Sequence, residues 1–110
     1  MPDPDWKILF QAEIKQGESA RKIGNEGMAR VCARRAAGIV IGEYLLRSGV
    51  STSGTNAFIR IRILLNHSQT KARVREITAN FLLQVDQDHK LPEDIDLIKD
   101  ARWLAKELLG

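Results

Sequence analysis

A chain of 110 residues, 44% of them apolar, has material for one hydrophobic core and too little for two. No stretch reaches the roughly 20 uninterrupted apolar residues of a membrane span, because Glu43 breaks the best candidate, and a single cysteine, Cys32, excludes an internal disulfide and a thiolate-rich zinc site. The net charge of +3 is too small to demand a nucleic-acid partner.

The opening MPDPDW holds prolines and acids in place of a basic segment followed by an apolar one, so no secretory signal is read and a cytoplasmic location is expected. Asp3 followed by Pro4 reads as an N-cap and first-turn proline. The helix they open places Trp6, Leu9, Phe10, Gly17 and Ala20 on one face and extends to about Ile23. Lys7, Lys15, Glu18, Arg21 and Lys22 lie largely off that face. Gly24 then ends the helix and Asn25 begins the next, a connection so short that the two helices form an antiparallel hairpin.

The second helix, Asn25 to Gly49, is marked at both ends: Asn25 can accept from the first free amides, Glu26 suits the positive end of the dipole, and Gly49 suits a left-handed closing position. Its apolar residues, among them Val31, Cys32, Ile39, Val40, Ile41, Leu45 and Leu46, are spread around the circumference, which predicts burial on several sides. Cys32 is read as a small core residue. Gly38 and Gly42 share a face despite costing about 1 kcal/mol each in helix propensity. They mark where another helix, from this chain or a second copy, packs closest. Arg30 and Arg34, about 40° apart at roughly 100° per residue, and Arg35 about 100° further round, are expected to pair with acidic groups of the last helix.

After the loop VSTSGTN comes FIRIRI, Phe58 to Ile63, which alternates with period two and taken alone argues for a strand. No other segment alternates, and an unpaired strand leaves its backbone unsatisfied. A helix from about Asn56 to Asn66 using Phe58, Ile61, Leu64 and Leu65 is the preferred reading; the strand requires an intermolecular sheet across a dimer. A fourth helix follows from Thr70, with Val74, Ile77, Phe81 and Val85 at helical spacing. Its early Lys71, Arg73 and Arg75 oppose the dipole unless an anion or an acidic partner compensates.

Residues 56–79 carry five basic side chains and one acidic, against eight and six in 1–55 and four and seven in 80–110. This excess makes Arg60, Arg62, Lys71, Arg73 and Arg75 candidate contacts to phosphate or to an acidic protein, with a solvated face as the bland alternative. The segment DQDHKLPED reads as a loop, and Pro92 with Glu93, Asp94 and Asp96 marks the start of a last helix. Ile95, Ile98, Ala101, Ala105 and Leu108, flanked by Leu97 and Leu104, form its core face, with Trp103 towards one edge. Asp86, Asp88 and His89 offer oxygen and imidazole ligands at close spacing, but they lack the glycine and later glutamate of a calcium loop and read as a solvated acidic turn. No metal and no cofactor is expected.

Trp6, Ala12, Ala20, the run ARRAAGIVIGEYLLRSG from Ala33 to Gly49, and the long helix after LPED together resemble HEPN domains, small helical bundles. The resemblance covers residues 5–49 and continues as helix order. It implies a homodimer and a link to RNA or nucleotides, and a nucleotidyltransferase is a candidate partner protein. It also implies, for catalytic members, metal-independent ribonuclease chemistry by an arginine and a histidine four to six residues apart. Arg62 and His67 form such a pair, the histidine moving a proton and the arginine steadying phosphate charge. On one continuous helix they would diverge by about 140°, so they converge only if the helix ends near Asn66 or across a dimer.

The resulting expectation is an all-α, up-and-down bundle of four or five helices around a buried second helix. Three functional readings follow: a dimeric binding or accessory module that associates with RNA or nucleotides through its basic middle segment, a ribonuclease using Arg62 and His67, and a purely structural dimerisation scaffold.

Overall fold

A computed structural model describes residues 5–83, 92 and 95–110. Among these residues five α-helices run in order: α1 Trp6–Lys22, α2 Glu26–Arg47, α3 Ala57–Asn66, α4 Ala72–Ala79 and α5 Leu97–Leu109, with a 3-10 turn at Asn80–Leu82 extending α4. No strand occurs among the described residues, and no helix among them is long and apolar enough to cross a membrane. Asp3, Pro4, Val85, Asp86, Asp88, His89, Glu93 and Asp94 lie outside the described residues.

Local signals set the hairpin. Asp5 caps α1 by accepting from the Lys7 amide at 3.0 Å. At the other end Gly24 takes φ +80°, its amide bonds Arg21 O, and the next amide, that of Asn25, bonds Ala20 O at 2.8 Å. That pair of bonds is a Schellman ending. Asn25 then turns its side chain to the Met28 amide at 3.0 Å, so one residue finishes α1 and caps α2. Gly49, at φ +84°, closes α2 in the same way, with the Val50 amide on Leu45 O.

The central helix packs against α1, α3 and α5, and ten of its residues are buried, among them Ala33, Ala37, Val40, Ile41 and Leu45. Small residues set the distances. A methyl group on Gly17 would sit 3.2 Å from Cys32 Cβ, so α1 and α2 pack tightly there; one on Gly38 would sit 2.7 Å from Ala57 Cβ, and one on Gly42 2.6 Å from an Arg60 guanidinium nitrogen. The partner of the glycine stripe is therefore α3 of the same chain. Cys32 is fully buried as a core residue. Burial first, then the neighbouring Glu13 carboxylate, pushes its thiol pKa up, so it is a poor nucleophile.

The FIRIRI segment is helical. Asn56 accepts from the Ile59 amide at 2.9 Å, and Ile61 and Leu64 are buried while Leu65 is partly so. Phe58 departs from expectation: it is 43% exposed. On α1, Leu9 is likewise 48% exposed, and the core contacts come from Phe10, Ile14, Gly17 and Ala20. α5 starts at Leu97, not near Pro92, because the Asp96 carboxylate accepts from the Ile98 and Lys99 amides at 3.1 and 3.2 Å. Leu97, Ile98, Ala101, Leu104 and Ala105 then bury its inner face.

Candidate nucleic-acid interface

The five cations of the middle segment separate once their partners are known. Arg60 lies over Gly42, donating from Nε to Thr55 Oγ1 and from Nη1 to Gly38 O, each at 3.1 Å. It ties α3 to the α2 backbone. Arg75 donates from Nε to Thr70 O at 3.2 Å, from Nη1 to Leu65 O, and from Nη2 to His67 O at 2.9 Å. Those carbonyls belong to the end of α3 and the connection after it, where the helix dipole is negative. The compensation that the basic start of α4 needs is thus supplied inside the fold, by α3 to Arg75 and by Glu76 to Arg73 at 2.9 Å. Arg73 also lies 5.9 Å from the Trp103 ring centroid. Lys71 is exposed beside a small pocket edged by Tyr44, Thr70 and Glu107.

Arg62 faces a cleft in which it meets other cations, and the company it keeps there is not local in sequence. The cleft, about 670 Å³, lies between the first turns of α2, the start of α3 and the 3-10 turn. Arg30, Arg34 and Arg62 contribute three cations, and Val31, Phe58, Phe81, Leu82 and Leu83 supply apolar surface. Arg34 is positioned twice: its Nε donates to Phe81 O at 3.3 Å, and its guanidinium lies 4.7 Å from the Phe58 ring centroid. Burial, and then the positive charge of Arg30, lower the Arg34 pKa below its ordinary value. It stays cationic at neutral pH all the same.

Among the described residues no carboxylate pairs with Arg30, Arg34 or Arg62. The expected pairing of Arg30, Arg34 and Arg35 with the last helix is not seen among the described residues; Arg21 of α1 takes Asp96 at 3.1 Å, and Arg102 of α5 takes Glu18 at 2.6 Å. Three like charges on one cleft create a field that favours an anion. Phe58 beside them supplies a stacking surface. Sequence density pointed to residues 56–79, whereas two of the three cations come from α2. Their spacing of four on one helix face was the available signal.

His67 sits elsewhere. It terminates α3 with extended backbone, ψ 127°, and its Nδ1 accepts from the Gln69 amide at 3.3 Å. In the neutral ring that bond places the proton on Nε2. Arg62 lines the cleft and His67 is not among its walls. Among the described residues no group of three histidine, cysteine, aspartate or glutamate side chains is arranged to hold a metal ion. No protein-family model matches the chain, and no curated protein or solved structure matches it.

Proposed function

We propose that this chain is a small helical-bundle binding module, HEPN-like in its helix order, that associates with RNA or nucleotides through the cleft of Arg30, Arg34 and Arg62. The observation that carries the reading is the convergence of these three cations on one open cleft with no described carboxylate among them. Neutralising phosphates releases counterions, so binding falls steeply with salt. Labelled RNA titrated at two salt concentrations tests this. Binding at low salt, weakened at high salt and lost in the Arg30→Ala, Arg62→Ala double variant, is the expected result. A protein that ignores RNA even at low salt is not such a module. A homodimer belongs to the proposal, and the exposure of Ile8, Leu9 and Leu46, at 69%, 48% and 53%, supports it; a monomer in sedimentation at high concentration removes it.

A second reading, metal-independent ribonuclease action by Arg62 and His67, is favoured by one observation. α3 ends at Asn66 and leaves His67 on the connection, the condition under which the pair can approach a common phosphate. The Gln69 amide occupies the free lone pair of the neutral ring, so proton transfer by His67 requires that bond to open first. RNA cleavage in the presence of a chelator, abolished by His67→Ala, is what this reading requires.

A further inference from the structure

We infer that the ligand of the arginine cleft presents an unpaired nucleobase beside its phosphate, so that the site takes single-stranded nucleic acid or a free nucleotide in preference to a duplex. The inference rests on the reading of the cleft as a polyanion interface and adds its specificity.

A purely electrostatic phosphate contact needs only cations on a surface. This cleft has more than that. Phe58 is 43% exposed and Leu83 41% exposed, directly beside Arg62 and Arg34. Arg34 covers one face of the Phe58 ring, which leaves the exposure to the remainder of the ring. Tethering by Phe81 O holds the Arg34 guanidinium in place, and its two terminal nitrogens have no hydrogen-bond partner among the described residues, like the side chains of Arg30 and Arg62.

A duplex presents phosphate and sugar outward and keeps its base faces stacked inside, so apolar surface in the cleft would gain nothing from it. An unpaired base offers a π-face that stacks on an aromatic ring, and stacking of this kind tolerates any base. The volume of about 670 Å³ suits one nucleotide. An acidic peptide would satisfy the arginines and leave Phe58 unused.

Fluorescence anisotropy at one low salt concentration tests the inference, using a labelled oligouridylate, an RNA duplex of equal length, and polyglutamate as competitor. Binding of the single strand at least about tenfold tighter than the duplex is expected, with Phe58→Ala weakening it by about tenfold and Phe58→Tyr restoring it. The slope of affinity against salt should be unchanged in Phe58→Ala and shallower by about one in Arg62→Ala. Uridine monophosphate that displaces the strand at micromolar concentration assigns the site to a free nucleotide; displacement only at millimolar concentration assigns it to a strand. Equal binding of strand and duplex, with Phe58→Ala unaltered, overturns the inference and leaves the polyanion reading standing. Polyglutamate that competes as well as RNA overturns it in favour of an acidic protein. Failure of every nucleic acid to bind overturns both.

Discussion

At Gly38 an added methyl group would meet the Cβ and Cα of Ala57 at 2.7 and 3.0 Å, whereas at Gly42 it would meet the far end of the Arg60 side chain. The two glycines look equivalent in sequence and are not so in the fold. Backbone cannot yield without moving α3, while a guanidinium can swing aside. Gly38→Ala should therefore destabilise the protein by about 1–3 kcal/mol through overpacking. Gly42→Ala should be nearly neutral, because about 1 kcal/mol of gained helix propensity offsets the displaced Arg60 bonds. Chemical denaturation of the two variants checks the ordering; equal losses would show that α3 adjusts as easily as the arginine does. Sequence spacing disclosed that this face of α2 is approached closely. It did not disclose the difference, which depends on whether Ala57 or Arg60 lies opposite.

At the scale of elements, the helix ends were the most legible part. Asn25, Gly24, Gly49 and Asn56 act through their own backbone neighbourhood, and each does what its residue type suggests. The start of α5 was less so, since three acids and a proline compete there and only the fold shows that Asp96 takes the amides. Two carboxylates of this helix respond oppositely to acid. Burial alone would raise the Asp96 pKa, but the amides of Lys99 and Ile98 and the Arg21 guanidinium outweigh it and leave it lowered. Its ionised form stabilises the fold above the unfolded pKa, and that contribution is lost as pH falls through the folded value. The Asp100 pKa is raised, first by burial and further by Asp96, against the hydrogen bond from Asn80. Its ionised form opposes folding, so protonation as pH falls through the raised value restores stability. Melting curves between about pH 7 and about pH 3 should show Asp96→Asn losing less stability on acidification than the parent, and Asp100→Asn more stable near neutrality with that advantage shrinking in acid. Parallel curves for all three proteins would contradict both assignments.

For the molecule as a whole, burial around α2 outweighs the surface ion pairs. Each fully buried leucine or isoleucine, such as Ile41, Leu45, Ile61 or Leu104, stabilises by roughly 1.5–3 kcal/mol, whereas pairs as exposed as Arg21–Asp96 or Arg73–Glu76 contribute about 0–1 kcal/mol. This is why the fold class was legible from apolar spacing while the candidate site was not. The cleft joins Arg30 and Arg34 of α2 to Phe58 and Arg62 of α3 and to the backbone of Phe81, and no local window contains them together. Charge density along the chain also misleads in a physical way, since Arg60 spends its donors on a carbonyl and a hydroxyl and Arg75 on carbonyls. The Arg75 contact has a dynamic consequence. One side chain from α4 holds carbonyls at Leu65, His67 and Thr70, so the end of α3 cannot fray unless α4 releases it. The amides of α3 and α4 should then exchange with solvent as a single cooperative unit, opening together at one free energy. In Arg75→Ala, native-state hydrogen exchange should split that unit, with the last turn of α3 opening first and α1 and α2 unaffected.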